Sequence, residues 1–140
     1  MIFKILVVDD DELTRTTYKG LLELYDFEVY EARNGEECLK LCNEIKPDII
    51  LLDLIMPGTT GFHILPALNK MRHDGDLDCY IIVSSVSTSF KDISKAIKLG
   101  ADDFFFKHHE MELIKYRIIV CITKLLLSRN LLKDDTVVGS

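Results

Sequence analysis

The chain has 140 residues, enough for one domain and too few for two. Its 48% apolar and 29% charged residues are the balance of an ordinary soluble protein; that excludes disorder, collagen and coiled coil, and no apolar stretch approaches the roughly 20 residues of a membrane span. With 23 acids against 17 bases the formal net charge is −6 and no Lys/Arg run occurs, which argues against direct binding of nucleic acid. The N-terminus lacks the charged-then-apolar layout of a signal peptide. The cysteines Cys38, Cys42, Cys79 and Cys121 form no CxxC pair and no zinc-ligand spacing, so reduced, packed thiols in a cytoplasm are expected.

Strand-length apolar runs alternate with helix-period segments five times. Phe3–Val8 is a short apolar run ending in acids. Leu13–Leu24 is helical, with Leu13, Thr17, Leu21 and Leu24 as its apolar stripe. Phe27–Ala32 alternates as a strand does. Glu36–Ile45 carries Cys38, Leu39, Cys42 and Ile45 at helical spacing, with Asn34 as its cap and Pro47 as its stop. Asp48–Leu52 is the most apolar strand and runs into Asp53. Residues 57–61 (PGTTG) read as a loop, and Phe62–Met71 as a helix whose start Pro66 should delay or kink. Cys79–Ser84 is the fourth strand, Phe90–Leu99 the fourth helix with Gly100 at its end, and Phe104–Phe106 the fifth strand. Glu110–Leu127 is a long last helix, and Ser128–Ser140 a polar tail or linker.

Such alternation predicts an α/β domain: a single doubly wound parallel sheet of five strands flanked by five helices. Its strands, buried on both faces, should be continuous apolar runs, as ILVV, IILL and YIIV are. The ligand site of such a sheet lies at the carboxyl ends of the strands. Gathered there are Asp9 and Asp10, Asp53, the pair Ser84 and Ser85, and Lys107. Crowded carboxylates repel one another, and a divalent cation relieves that cost. Oxygen ligands with retained waters suit Mg²⁺. Acid, cation, hydroxyl and lysine together make a site for phosphoryl transfer, in which an aspartate can be the nucleophile.

Four motifs, in order and at matching separations, carry a family resemblance: ILVVDDDE (Ile5–Glu12), PDIILLDLIMPGTTGF (Pro47–Phe62), IIVSS (Ile81–Ser85) and GADDFFFK (Gly100–Lys107). Over about residues 3–125 the chain resembles a two-component response-regulator receiver domain, of the chemotaxis-regulator type. The resemblance implies sheet order 2-1-3-4-5 and a receiver spanning 1–127. It implies that Asp53 is the phosphoacceptor and that Asp10 is a direct Mg²⁺ ligand, with Asp9 acting mostly through water. The backbone carbonyl of Ile55 and Asp53 itself would complete the metal site. Ser84 matches the hydroxyl position, Lys107 the lysine, and Phe104 the aromatic that switches with the hydroxyl. The expected donor is a histidine kinase or phosphotransfer protein; the domain would be regulatory, catalysing only its own phosphorylation and dephosphorylation. The alternative is a degenerate receiver acting as a docking module. A phosphohydrolase usually needs a second acid two residues after the nucleophile, where Ile55 stands.

Three departures from the family pattern stand out. His108 follows Lys107 where proline is usual, so a trans bond and a shifted loop are expected. The segment from Ser84 to Gly100 is one residue longer than common. Ile55 and Val86 are apolar beside the phosphoryl site, where they can orient or exclude the attacking water. The last helix has a packing stripe of Ile114, Ile118, Cys121, Ile122 and Leu125, yet Ile119, Val120, Leu126 and Leu127 are apolar as well. One sheet cannot cover both sides, so this helix is expected to meet a second copy or an output domain. The four histidines have no metal partners at a recognisable spacing and read as surface or cap residues.

Overall fold

The computed structural model describes residues 2–56, 61–86, 89–107 and 113–131. The elements are β1 (Lys4–Val8), α1 (Glu12–Glu23), β2 (Glu28–Ala32), α2 (Gly35–Ile45), β3 (Ile49–Asp53), α3 (Gly61–His73), β4 (Tyr80–Ser85), α4 (Phe90–Lys98), β5 (Asp103–Phe106) and α5 (Ile114–Leu131). The strands form one parallel sheet in the order β2-β1-β3-β4-β5. Period-two alternation divides their side chains between two cores. Leu6, Val8, Ile50, Leu52, Ile81, Val83 and Phe104 face α2, α3 and α4. Ile5, Val7, Ile49, Leu51, Ile82 and Phe105 face α1 and α5. Full burial of each such aliphatic contributes roughly 1.5–3 kcal/mol, which is why the middles of β1, β3 and β4 are wholly apolar. Among the described residues no helix is long and apolar enough to cross a membrane.

Local chemistry sets most helix boundaries. Asp11 caps α1, its carboxylate accepting from the Thr14 N–H, and Asn34 caps α2 by accepting from the Glu37 N–H. Gly100 closes the end of α4 at φ +118°, a backbone region that glycine enters without strain. All four cysteines are free and buried; Cys38 and Cys42 pack in the core beneath α2.

Three expectations are corrected. The buried stripe of α1 is Arg15, Tyr18 and Leu22; Leu13 and Leu24 lie on its exposed side. The helix is rotated so that an arginine stem and a tyrosine, rather than the outer leucines, meet the sheet. Pro66 does not delay α3, which starts at Gly61 and carries the proline inside it. The Gly61 N–H is already held by the Leu54 carbonyl at 2.8 Å, which fixes the first turn ahead of the proline. The last helix continues to Leu131, so residues 128–131 are its final turn and not tail. Arg129 pins that turn to the sheet, with Nε 2.7 Å from Asp78 Oδ2 and Nη1 2.9 Å from Asp48 Oδ1. The expected first turn of that helix (110–112), the loop at His108 and His109, and the tail from 132 lie outside the described residues.

Candidate functional site: an acid–lysine cleft

Four strand ends supply the site. Asp9 follows β1, Asp53 ends β3, Ser85 ends β4 and Lys107 follows β5. Parallel register brings these ends to one edge, where an open cleft of about 260 Å³ is lined by Asp9, Asp10, Asp11, Thr14, Asp53, Ile55, Ser85, Val86 and Lys107. Asp9, Asp53 and Lys107 are buried, while Asp10 stands exposed at the rim. Lys107 Nζ lies 2.6 Å from Asp9 Oδ2 and 3.1 Å from Asp53 Oδ2. The remaining carboxylate oxygens are held by the main chain: Asp9 Oδ1 accepts the Asp11 N–H at 2.9 Å and Asp53 Oδ1 the Ile55 N–H at 3.2 Å.

Burial, followed by the neighbouring charge of Asp9, pushes the Asp53 pKa up to about 7 against the opposing pull of Lys107. Burial works to lower the Lys107 pKa, but its contact with Asp9 and the charges of Asp53 and Asp9 prevail, and the ammonium is held more firmly than usual. Asp11, whose carboxylate accepts from Thr14, titrates below its ordinary range, as a helix cap does. Two buried polar atoms have no hydrogen-bond partner among the described residues: Asp9 Oδ2, whose contact with Lys107 is ionic rather than a directed hydrogen bond, and the Tyr18 hydroxyl. Tyr18 lies on the same side of the sheet, edge-on to Phe105. Burial and the charges of Asp9 and Asp53 hold its phenol well above the ordinary range.

Carboxylate oxygens of Asp9, Asp10 and Asp53 lie within 4.8 Å of one another, the one such metal-sized cluster among the described residues. All are hard oxygen donors, and among the described residues Asp9 Oδ2 meets only the Lys107 ammonium. This set fits a hard divalent cation such as Mg²⁺.

The structure thus brings together Asp9, Asp10, Asp53, Lys107 and Ile55. Ser85 lines the cleft wall, and Ser84 is the register partner of Asp53 on the neighbouring strand. Strand alternation places Ser84 on the Phe105 face, in the row shared by Asp53 and Lys107, whereas Ser85 continues the Ile81–Val83 row on the face that carries Phe104. Phe104 is buried, its ring centroid 5.3 Å from that of Phe106. Ile55 and Val86 are both more than half exposed at the cleft wall. Thr14 and Gly61 were not anticipated. A Cβ at Gly61 would sit 2.6 Å from the Asp53 carbonyl oxygen, so only glycine lets α3 start directly against the acid.

A doubly wound parallel sheet with an acid–lysine cleft at its carboxyl edge defines the class. Within it, the chain belongs to the response regulator receiver domain family, which residues 5–119 match. The nitrate/nitrite response regulator protein NarL of Escherichia coli is 42% identical over 110 residues, 77% of this chain and 49% of NarL. The chain therefore spans about half the length of that relative. Chemotaxis protein CheY of Listeria monocytogenes is 38% identical over 105 residues, 74% of this chain and 85% of CheY. The crystal structure of a CheY-like response regulator receiver domain protein from Methanospirillum hungatei has the same fold, with a TM-score of 0.81 at 22% identity, covering 89% of this chain and 97% of that one.

Proposed function

We propose that this domain is the phosphoacceptor of a two-component system, receiving a phosphoryl group on Asp53 from a histidine kinase or a phosphotransfer protein. The observation that carries the reading is the buried contact of Lys107 with both Asp9 and Asp53 in an otherwise acidic cleft. An Asp53 carboxylate oxygen forms the new bond to phosphorus as the donor's phosphorus–nitrogen bond breaks, its electron pair leaving with the donor imidazole. Asp9, Asp10, Asp53 and the Ile55 carbonyl would hold Mg²⁺, which when bound supplies the positive charge that keeps Asp53 ionised and offsets the phosphoryl charge. Lys107 then meets a phosphoryl oxygen as a mobile point charge. Ser84, the register partner of Asp53, supplies the hydroxyl that meets that group, and Phe104 on the adjoining strand is the side chain that reads its movement. The added charge of about −1.5 to −2 biases a two-state arrangement of α4, β5 and α5. The domain works in the cytoplasm, where its kinase donor and reduced thiols belong.

Acetyl phosphate with Mg²⁺ tests the proposal. A persistent mass gain of one phosphoryl group supports it. No gain would point to a docking module, and rapid turnover of assorted phosphoesters to a hydrolase.

A further inference from the structure

Asp9 is tethered at three points. Its N–H donates to the Ala32 carbonyl at 3.0 Å, its Oδ1 accepts the Asp11 N–H at 2.9 Å, and its carbonyl accepts Arg15 Nη1 at 2.7 Å. Only Oδ2 is left to face the cleft cation, now Lys107. The third tether is unusual. Arg15 is 7% exposed, on the α1 stripe that otherwise buries Tyr18 and Leu22. An apolar side chain would pack that position without burying a charge. The guanidinium is balanced by Glu31 on β2, with Nε 3.3 Å from Oε1, and Lys19 approaches the same carboxylate at 3.8 Å. Glu31 adjoins Ala32, the residue that accepts from the Asp9 N–H. Arg15 and β2 therefore fix the peptide of Asp9 from both sides.

We propose that Arg15 is a positioning residue for the divalent-cation site: its hydrogen bond to the Asp9 carbonyl fixes the Asp9–Asp10 peptide, and with it the relative placement of the two carboxylates that receive the cation. The inference rests on the reading of Asp9 and Asp10 as cation ligands. Charge alone predicts the opposite sign, because removing a nearby cation should tighten the binding of another. Positioning predicts that the binding weakens.

The binding test uses the whole chain without phosphodonor, and labelling with acetyl phosphate is measured separately. Mg²⁺ is titrated by NMR into wild type, Arg15→Met, Arg15→Lys and Glu31→Gln, with circular dichroism to confirm the fold. Arg15→Met is expected to weaken Mg²⁺ binding roughly ten-fold, the scale of loss when a group orienting a metal ligand is removed. Arg15→Lys, which can still reach the carbonyl, recovers part of that loss. Acetyl-phosphate labelling of Arg15→Met slows at low Mg²⁺ and returns to the wild-type rate at saturation. Mg²⁺ binding to Arg15→Met as tight as to wild type, or tighter, overturns the proposal. If Arg15→Met does not fold, Arg15→Lys and Glu31→Gln decide: weaker Mg²⁺ binding in both supports the proposal, and wild-type affinity in both overturns it. A wild type that binds no Mg²⁺ removes the underlying reading of the acids and is a separate result.

Discussion

Asp53 and Lys107 are a coupled pair whose charges the fold has to reconcile before any donor arrives. The folded-state pKa of Asp53, about 7, lies above the ordinary aspartate value, so the folded chain binds this proton more tightly than the unfolded chain does. Metal-free stability therefore falls as pH rises from about 4 to about 7. Asp53→Asn removes that dependence. At pH 8, with chelator, it is expected to be more stable than wild type by on the order of 2–4 kcal/mol, and at pH 4 the two should match; denaturant melts at the two pH values check this. Lys107→Ala has the opposite effect, leaving Asp9 and Asp53 buried without their cation. It should destabilise the metal-free protein at pH 7 by about 3–5 kcal/mol, with Mg²⁺ restoring part of the loss in thermal melts. Asp9, Asp10, Asp53 and Lys107 were legible in the sequence because each follows an apolar strand run directly. Arg15 and Tyr18 were not: a polar head on a buried stem carries no apolar signal, and the exposed Leu13 and Leu24 imitated the stripe.

At the scale of elements, β4 and β5 are the part of the sheet able to transmit a change at Asp53. Ser84 pairs with Asp53 on one side and with Phe105 on the other, and the Lys107 N–H donates to the Ser85 carbonyl at 3.1 Å, so the hydroxyl and the lysine are joined through one backbone ladder. Ser84→Ala is expected to reduce the phosphorylation-dependent NMR shift of Phe104 several-fold, whereas Ser85→Ala leaves it near wild type. Equal effects of the two variants would show that the relay does not run through Ser84. The strands and most helices were legible in the sequence because apolar runs and period-3.6 stripes dominate them. The ends of α3 and α5 were not, because they depend on distant partners. Gly61 is held by Leu54, and Arg129 by Asp48 and Asp78, contacts that no local pattern announces.

At the scale of the whole molecule, α5 buries Ile114, Ile118, Cys121, Ile122 and Leu125 against the sheet and leaves Ile119, Val120 and Leu127 about half exposed. An apolar row on the outer side of a helix pinned at its far end by Arg129 is suited to a partner surface. We propose that this face meets a second copy or an output domain. Sedimentation of the phosphorylated chain should show self-association that Val120→Glu with Leu127→Glu abolishes; a wild type that stays monomeric with and without the phosphoryl group would rule out the second copy. The proposed phosphoacceptor role of Asp53 can be read out at a single residue. Borohydride reduces an acyl phosphate to the alcohol, so treatment of the acetyl phosphate–labelled protein followed by peptide mapping locates the group directly. Homoserine is expected at position 53, formed with Mg²⁺ and not with chelator; label at any other residue, or at none in the presence of Mg²⁺, would overturn the assignment of Asp53.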